Sequence, residues 1–323
     1  MESMIATATP VAEKNLVQLA RDLGPALNQH ITEEENNGRI SSTVVKTLRE
    51  AGFYKLFTPK SLGGLEADPL TTAKVVEEIA RHNTAAAWSL MVVNTGFAMG
   101  GHLSEKGIEE IFYNNPDPFI AGSIHPPMRA NRVSGGFAIN GRNPLLSNIH
   151  EAQWIFTTAL IMEGQQPKMT NGHPEVIAAF MKATDCQIID TWNTLGMRAT
   201  DSNDAEAKEV FVPDHLVFPL IPDFQPNKYY TGVLYRFPAA GSNIACLLAP
   251  VTIGVARNAI NELKTLADKK TPLGSMVPIR ERGVIQRKLG RAEALVQGNR
   301  AYLHHTIRKC WNRVNGGETI SLE

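Results

Sequence analysis

The feature that most constrains this chain is a change of texture that happens twice. Up to about Asn115, apolar residues recur at helical spacing. From Pro116 to about Pro219, short apolar runs alternate with turn formers. From about Tyr229, long helical periods return. A chain ordered this way carries a β unit between two helical blocks. Strands and helices do not alternate along its whole length, as a doubly wound sheet requires.

In the first block Ala12, Leu16, Leu19, Leu23 and Leu27 repeat at helical spacing. Ser42 is positioned to cap a helix carrying Val44, Val45, Leu48 and Ala51, and Gly52 stands where a left-handed stop is wanted. Asp68-Pro69 is a cap followed by a first-turn proline, opening a helix with Ala73, Val76 and Ala80 on one face. The run "TAAAWSLMVVNTGFAMGG" is apolar nearly all round, which predicts a helix buried on most sides.

In the middle block, "RVSGGFAING" alternates on both sides of Gly135-Gly136, a hairpin signal. "QWIFTTALIM", "EVIAAFMKA", "CQIID" and "KEVFVP" are short β-branched or aromatic runs, spaced as in a small antiparallel sandwich or barrel. In the last block, helices are expected from Ser242 to Asp268, with a kink at Pro250, and from about Pro278 to Arg313. Gly241, Ala245, Ala249 and Gly254 would let a neighbouring backbone come close. Helices this long must bury their apolar stripes in a bundle or a subunit interface. The expected fold class is α+β: an N-terminal helical domain (1–115), a middle antiparallel β-barrel or sandwich domain (116–225) and a C-terminal helical bundle (226–323).

Composition removes several functions. The 32 basic and 32 acidic residues cancel, so neither nucleic acid nor an anionic membrane surface is an expected partner. "IACLLAPVTIGVA" is interrupted by Pro250 and too short to span a bilayer. The start "MESMIATATPVAEKN" lacks a basic region and a long apolar stretch, so no signal peptide is expected. Cys186, Cys246 and Cys310 are odd in number and far apart. No disulfide framework or zinc pattern follows, and a reducing, cytoplasmic compartment is the expectation. His304 and His305 are neighbours about 100° apart on a helix, which does not make a chelate, so no metal site is expected. No G-x-G-x-x-G, P-loop or G-x-S-x-G occurs.

The stretch "DTWNTLGMRATDSNDAEAKEVFVPDH" sets a polar, turn-forming loop around Trp192 and leads it into an apolar strand. Trp192 reads either as a wall for a flat ligand or as a plug at the end of the β domain. Arg198 is expected to pair with Asp201 or Asp204 and shape the turn.

Three motifs, in order, resemble the acyl-CoA dehydrogenase superfamily: "LREAGFYKLFTPKSLGGLEADP", "SGGFAINGRNPLLSNIHEAQW" and "GMRATDSNDAEAKEVFVP". "AGSIHPPMRANRVSGGFAINGR" and "LADKKTPLGS…IRERGVIQRKLGRAEAL" are similar to its two-component flavin monooxygenase branch, with the type-2 C-terminal domain. The resemblance implies a flavin cofactor, a separate flavin reductase, a small aromatic or heteroaromatic substrate and a homo-oligomer, the homotetramer. An acyl-CoA dehydrogenase acting on a thioester is the alternative, and a shortened non-catalytic relative the second alternative. Residues 237–260 contain no Asp or Glu to serve as the dehydrogenase base. Where dehydrogenases carry Arg-x-x-Phe-Gly, this chain has Lys270-Thr-Pro-Leu-Gly274, a point charge without the bidentate fork. That points to FMN rather than FAD. The family normally adds about two helices after a stop like Asn315-Gly316-Gly317, so the chain is expected to be truncated, with its main catalytic residue beyond it.

The same resemblance nominates site residues. Ser123, Ser147, Trp192, Ser202 and Arg282 would hold the cofactor, Ser123 at the pyrimidine edge and Ser202 at a phosphate. Trp88 and Asn94 would border the substrate pocket. His125 would hold or accept a proton. Each has a plainer reading: strand-end turns for Ser123 and His125, core for Trp88, and solvated helix charge for Arg282 and Arg287.

Overall fold

The computed structural model describes residues 15–113, 115–220, 226–237, 240–318 and 320, giving backbone only at 125, 126 and 240–245. Six helices come first: α1 Leu16–Asn28, α2 Ile31–Asn37, α3 Ser42–Glu50, α4 Pro69–Ala80, α5 Thr84–Gly100 and α6 Glu105–Ile111. Their ends follow local chemistry. Ser41 rather than Ser42 caps α3, its Oγ accepting from the Val44 amide at 3.2 Å. The two serines are chemically equal; Ser41 has the extended backbone a cap needs, and Ser42 has already turned helical. Gly52 stops the chain at φ +78°, and the Asp68 carboxylate accepts from the Leu70 and Thr71 amides at 3.0 Å each. Asn83 caps α5 and its amide donates to Leu27 O and to Glu34 of α2, so one residue ties three helices.

The middle of the chain forms β1 Ile120–Val133, β2 Gly136–Leu146, β3 Trp154–Glu163, β4 Gln166–Pro167, β5 Met169–Thr170, β6 His173–Pro174, β7 Val176–Lys182, β8 Gln187–Ile189, β9 Asn203–Pro213 and β10 Val217–Pro219. Eight of these make one sheet in the order β10-β7-β3-β1-β2-β9-β8, with β4 on β3; β5 and β6 pair separately. The sheet is not purely antiparallel as expected: β1 and β3 run parallel, Ile120 opposite Trp154. The cause is topological. The hairpin at Gly135 returns β2 beside β1, so the chain is already back at the start of β1 when β2 ends. Residues 147–153 then only have to pass over one strand, about two inter-strand spacings of ~4.8 Å, and no crossover helix is needed.

Two long helices follow, α7 Ala240–Lys269 and α8 Gly283–Asn315. Helix α7 runs unbroken through Pro250. It lies close on α4: a Cβ added at Gly254 would stand 2.5 Å from both Ala80 Cβ and Glu77 O. Helix α8 starts at Gly283, not near Pro278, because a short 3-10 turn, Ile279–Glu281, and an extended Arg282 intervene. It buries only His304, Ile307 and Val314 among its described side chains. What pins it is polar. Glu77 of α4, 5% exposed, binds Arg300 Nε at 2.5 Å and His304 Nε2 at 3.0 Å. Burial pushes the Glu77 carboxyl up, but the hydrogen bonds from His304 and Arg300 together outweigh it and hold it below its ordinary value. His304 is thus a packed histidine, and among the described residues no group of side chains is arranged to hold a metal.

Replacing Glu77 with Ala is expected to destabilise the fold by about 3 kcal/mol, because one buried partner is removed while the other charges stay. A depressed carboxyl contributes stability that is fully present above its ordinary value of 4.5 and fades as pH falls through the lower folded value. Hydrogen exchange of α8 peptides between pH 3 and 7 should therefore show protection lost on the acid side in the wild type. In Glu77→Ala protection should be low throughout.

Candidate functional site

Two turns meet where β2 ends and β9 begins. The Asn148 amide donates to Thr200 O at 2.9 Å, and Leu146 pairs with Asn203. Four residues with side chains hold left-handed backbone here: Leu145 and Asn148 at φ +60°, Met197 at +56° and Asp201 at +50°. Each such residue costs on the order of 1–3 kcal/mol and persists only where its surroundings over-determine it.

Asp201 supplies that determination. Its buried carboxylate accepts from His150 N at 3.0 Å, His150 Nδ1 at 2.8 Å and Asn203 Nδ2 at 2.8 Å, and it faces Arg39 Nε at 3.6 Å. Asp204 is held by Arg142, Nε to Oδ2 at 2.7 Å. Arg198, expected to pair with one of these two, is exposed instead, and Arg39 and Arg142 take its place. The reason is range: Arg39 and Arg142 come from a helical loop and the neighbouring strand, which a local reading does not bring close.

On the inner side of the same turns lies a run of polar groups. Trp88 Nε1 of α5 donates to Ser147 Oγ at 2.9 Å; Ser147 Oγ lies 2.7 Å from Ser202 Oγ, and Ser202 Oγ 2.7 Å from Thr200 Oγ1. Thr200 Oγ1 donates to the Met197 carbonyl at 2.9 Å. The structure therefore brings Trp88, Ser147 and Ser202 together across α5, β2 and β9. Trp192 joins them through Met197: its Nε1 donates to the same carbonyl at 2.9 Å, and the Thr191 and Trp192 amides donate to Asn203 Oδ1 at 2.8 Å. Trp192 is half-buried.

Other nominated residues stand elsewhere. Ser123 sits on β1 opposite Thr157, at the point where the β1–β3 register shifts. The His125 side chain lies outside the described residues. Arg282 lies at the start of α8. Asn94 is fully buried with its polar atoms committed: Oδ1 accepts from Phe57 N at 3.0 Å, and Nδ2 donates to Phe53 O and Leu90 O at 2.9 Å. It therefore offers nothing to a pocket; it staples the 53–57 segment to α5. Thr200, Asp201, Asn203 and His150 were missed by sequence reasoning. The signal was present in "RATDSNDAEA", a run of small polar residues in which Asp201, Ser202 and Asp204 each find a partner across the two turns. Clefts of about 460 Å³ between α1, α4 and α8 and about 520 Å³ beside β7 and β9 include none of the nominated residues.

A mixed sheet between two helical blocks of the chain, with α5 packed on β1 and α7 packed on α4 and α5, has an acyl-CoA dehydrogenase-type architecture, and a tryptophan–serine cluster lies at its helix–sheet junction. The chain belongs to the acyl-CoA dehydrogenase superfamily: residues 12–111 match the acyl-CoA dehydrogenase N-terminal domain and residues 246–323 its C-terminal domain. It is 28% identical over 291 residues to an indole-3-acetate monooxygenase of Pseudomonas putida, covering 90% of this chain and 72% of that protein. Two solved structures share the fold. XiaF from Streptomyces sp., in complex with FADH2 and glycerol, superposes with a TM-score of 0.84 at 22% identity, over 95% of this chain and 77% of XiaF. TdsC from Paenibacillus sp. A11-2, with FMN and indole, gives 0.74 at 18% identity, over 93% and 77%.

Asn94→Leu, close in shape, strands the Phe57 amide and Phe53 carbonyl, and is expected to lower stability by about 2–3 kcal/mol. Ligand affinity measured below the melting range should stay within twofold. Asn203→Ala releases the Thr191 and Trp192 amides. Limited proteolysis should then cut between residues 190 and 198 at least several times faster, with the rest of the fold intact.

Proposed function

We propose that this chain is the oxygenase of a two-component flavin-dependent monooxygenase, taking reduced flavin from a separate reductase and acting on a small aromatic or heteroaromatic substrate. The observation that carries the reading is the junction of Trp88, Ser147 and Ser202 across α5, β2 and β9. Exposed apolar side chains stand near the nominated serines in sequence: Ile124 follows Ser123, and Leu145 is two residues before Ser147, each 58% exposed. Asn148 Nδ2 and both amide atoms of Asn143 are buried without a hydrogen-bond partner. Uncovered apolar side chains next to unspent polar atoms fit a flat ring with a polar edge.

A bound reduced flavin would supply two electrons, so that O2 leaves one oxygen atom on the aromatic substrate and the other as water. The residues here bind, orient and exclude water. Trp192 would cover a face of the ring, with Ser123 and Ser147 at its polar edge and Ser202 toward a phosphate. His125 is the proton-holding candidate of the β1 segment. Lys270 gives a single charge in place of a guanidinium fork, which favours FMN over FAD, with Arg282 near the same turn as the phosphate contact. Leu273 and Met276, almost fully exposed on the α7–α8 turn, and Val284, Leu295 and Tyr302 on α8 support assembly with further copies, the homotetramer of the proposal. Cys186, Cys246 and Cys310 are all free, which supports a cytoplasmic setting. No described helix is long and apolar enough to cross a membrane.

Anaerobic titration with reduced FMN and reduced FAD should give saturable binding, tighter for FMN. Adding oxygen and an indole-type substrate should then yield a product one oxygen heavier, labelled from 18O2. Bleaching of bound flavin by an acyl-CoA without oxygen would move the protein to the dehydrogenase class.

A further inference from the structure

Helix α8 carries more positive charge on the side that meets α4 than its anchor uses. Arg300, His304 and Arg308 follow one another at intervals of four and share one stripe. Arg300 spends Nε on Glu77, and His304 spends Nε2 on the same carboxylate. The terminal nitrogens of Arg300 and the Arg308 guanidinium make no hydrogen bond among the described residues.

Two other helices face that stripe with pairs at the same spacing, Lys74 and Glu78 on α4 and Val17 and Arg21 on α1. Together they enclose the cleft of about 460 Å³. Its charges do not balance. Arg21, Lys74, Arg300 and Arg308 line it against one carboxylate, Glu78. Glu78 is already engaged: Arg81 Nη1 donates to its two oxygens at 2.7 and 3.0 Å, and Arg21 Nε lies 3.7 Å away. Lys74 stands one turn before Glu78, yet it is half-buried and has no ion-pair partner among the described residues. In a chain whose 32 basic and 32 acidic residues cancel, this surplus is local. Partial burial of a cation without a counter-charge is unfavourable, and an anion in the cleft relieves it. The first turn of α1 opens on the same cleft through Asn15 and Val17, and the positive end of that helix adds to the field.

The lining also selects the kind of anion. Val17 is the one apolar side chain among the described lining residues, so a hydrophobic ligand gains little there. A carboxylate has two coplanar oxygens and fills one guanidinium fork. A diphosphate carries several charges and presents oxygens in several directions, as cations arriving from three helices require. The volume falls in the range of small-molecule sites, about 300–1,000 Å³.

We propose that the α1–α4–α8 cleft is a binding site for a diphosphate-bearing small molecule, separate from the junction of Trp88, Ser147 and Ser202. Lys74 and Arg308 contact the phosphates, with the free ends of Arg300 and Arg21 beside them. The bound anion bridges three helices and clamps α8, whose polar grip otherwise rests on Glu77.

Calorimetric titration of the full chain at low ionic strength, with inorganic pyrophosphate, ADP and adenosine, tests this. Pyrophosphate and ADP should bind and adenosine should not. Tighter binding of ADP identifies a nucleotide as the source, and equal binding identifies the diphosphate alone. Lys74→Met and Arg308→Met should each weaken pyrophosphate binding about tenfold, while Lys74→Arg should keep it within about threefold. Arg308 is exposed, so its variant tests the site even where Lys74→Met disturbs packing. Arg282→Ala, in the nominated flavin set, should leave pyrophosphate binding unchanged. Hydrogen exchange of peptides spanning 300–308 should slow when pyrophosphate is added. Absence of binding by both pyrophosphate and ADP overturns the proposal. So does affinity kept within about twofold in both Met variants, affinity lost in Arg282→Ala, or binding that leaves exchange at 300–308 unchanged. The flavin reading stands or falls separately, by the reduced-flavin titration.

Discussion

The junction between helices and sheet depends on one buried carboxylate. Asp201 sits in left-handed backbone, and its oxygens gather partners from two places distant in sequence, Arg39 before α3 and His150 after β2, and from the nearby Asn203 at the start of β9. Without them the turn has no reason to keep a conformation that costs on the order of 1–3 kcal/mol. With them, Thr200 and Ser202 are aimed inward on either side of Asp201, and Asn203 is free to hold the Trp192 loop by its other amide atom. The held Trp192 loop and the polar row are thus two consequences of one anchored turn.

What was legible in the sequence was what local chemistry decides. Asp68-Pro69 starts a helix because a carboxylate accepting two free amides needs no distant partner. Gly52 and Gly135 mark turns because their φ values, both +78°, suit a residue without Cβ. The order of helices, sheet and helices was readable from periodicity, and so were Trp88, Ser147 and Ser202 as nominees by resemblance. Long-range choices were not readable. Ser147 lies 59 residues from Trp88 and 55 from Ser202, and nothing in the local run says that they meet. Arg198 looked like the partner of Asp201 because it is three residues away; Arg39 takes that place from far upstream. Asn94 looked like a pocket residue because a lone polar group on an apolar helix has two explanations. Only its three hydrogen bonds select the structural one. The parallel β1–β3 pair was invisible for the same reason: strand partners are set by topology, not by composition.

The C-terminal helices attach by a different logic. Helix α7 comes close to α4 through Gly254 and buries a broad apolar face, including Leu247 and Val251. Helix α8 buries few apolar side chains and relies on Glu77 for its grip. A polar anchor of this kind specifies position more than it stabilises, because desolvating Glu77 offsets much of what its bonds contribute. Helix α8 is therefore held in register but keeps most of its surface available, and its exposed Val284, Leu295 and Tyr302 remain for other contacts.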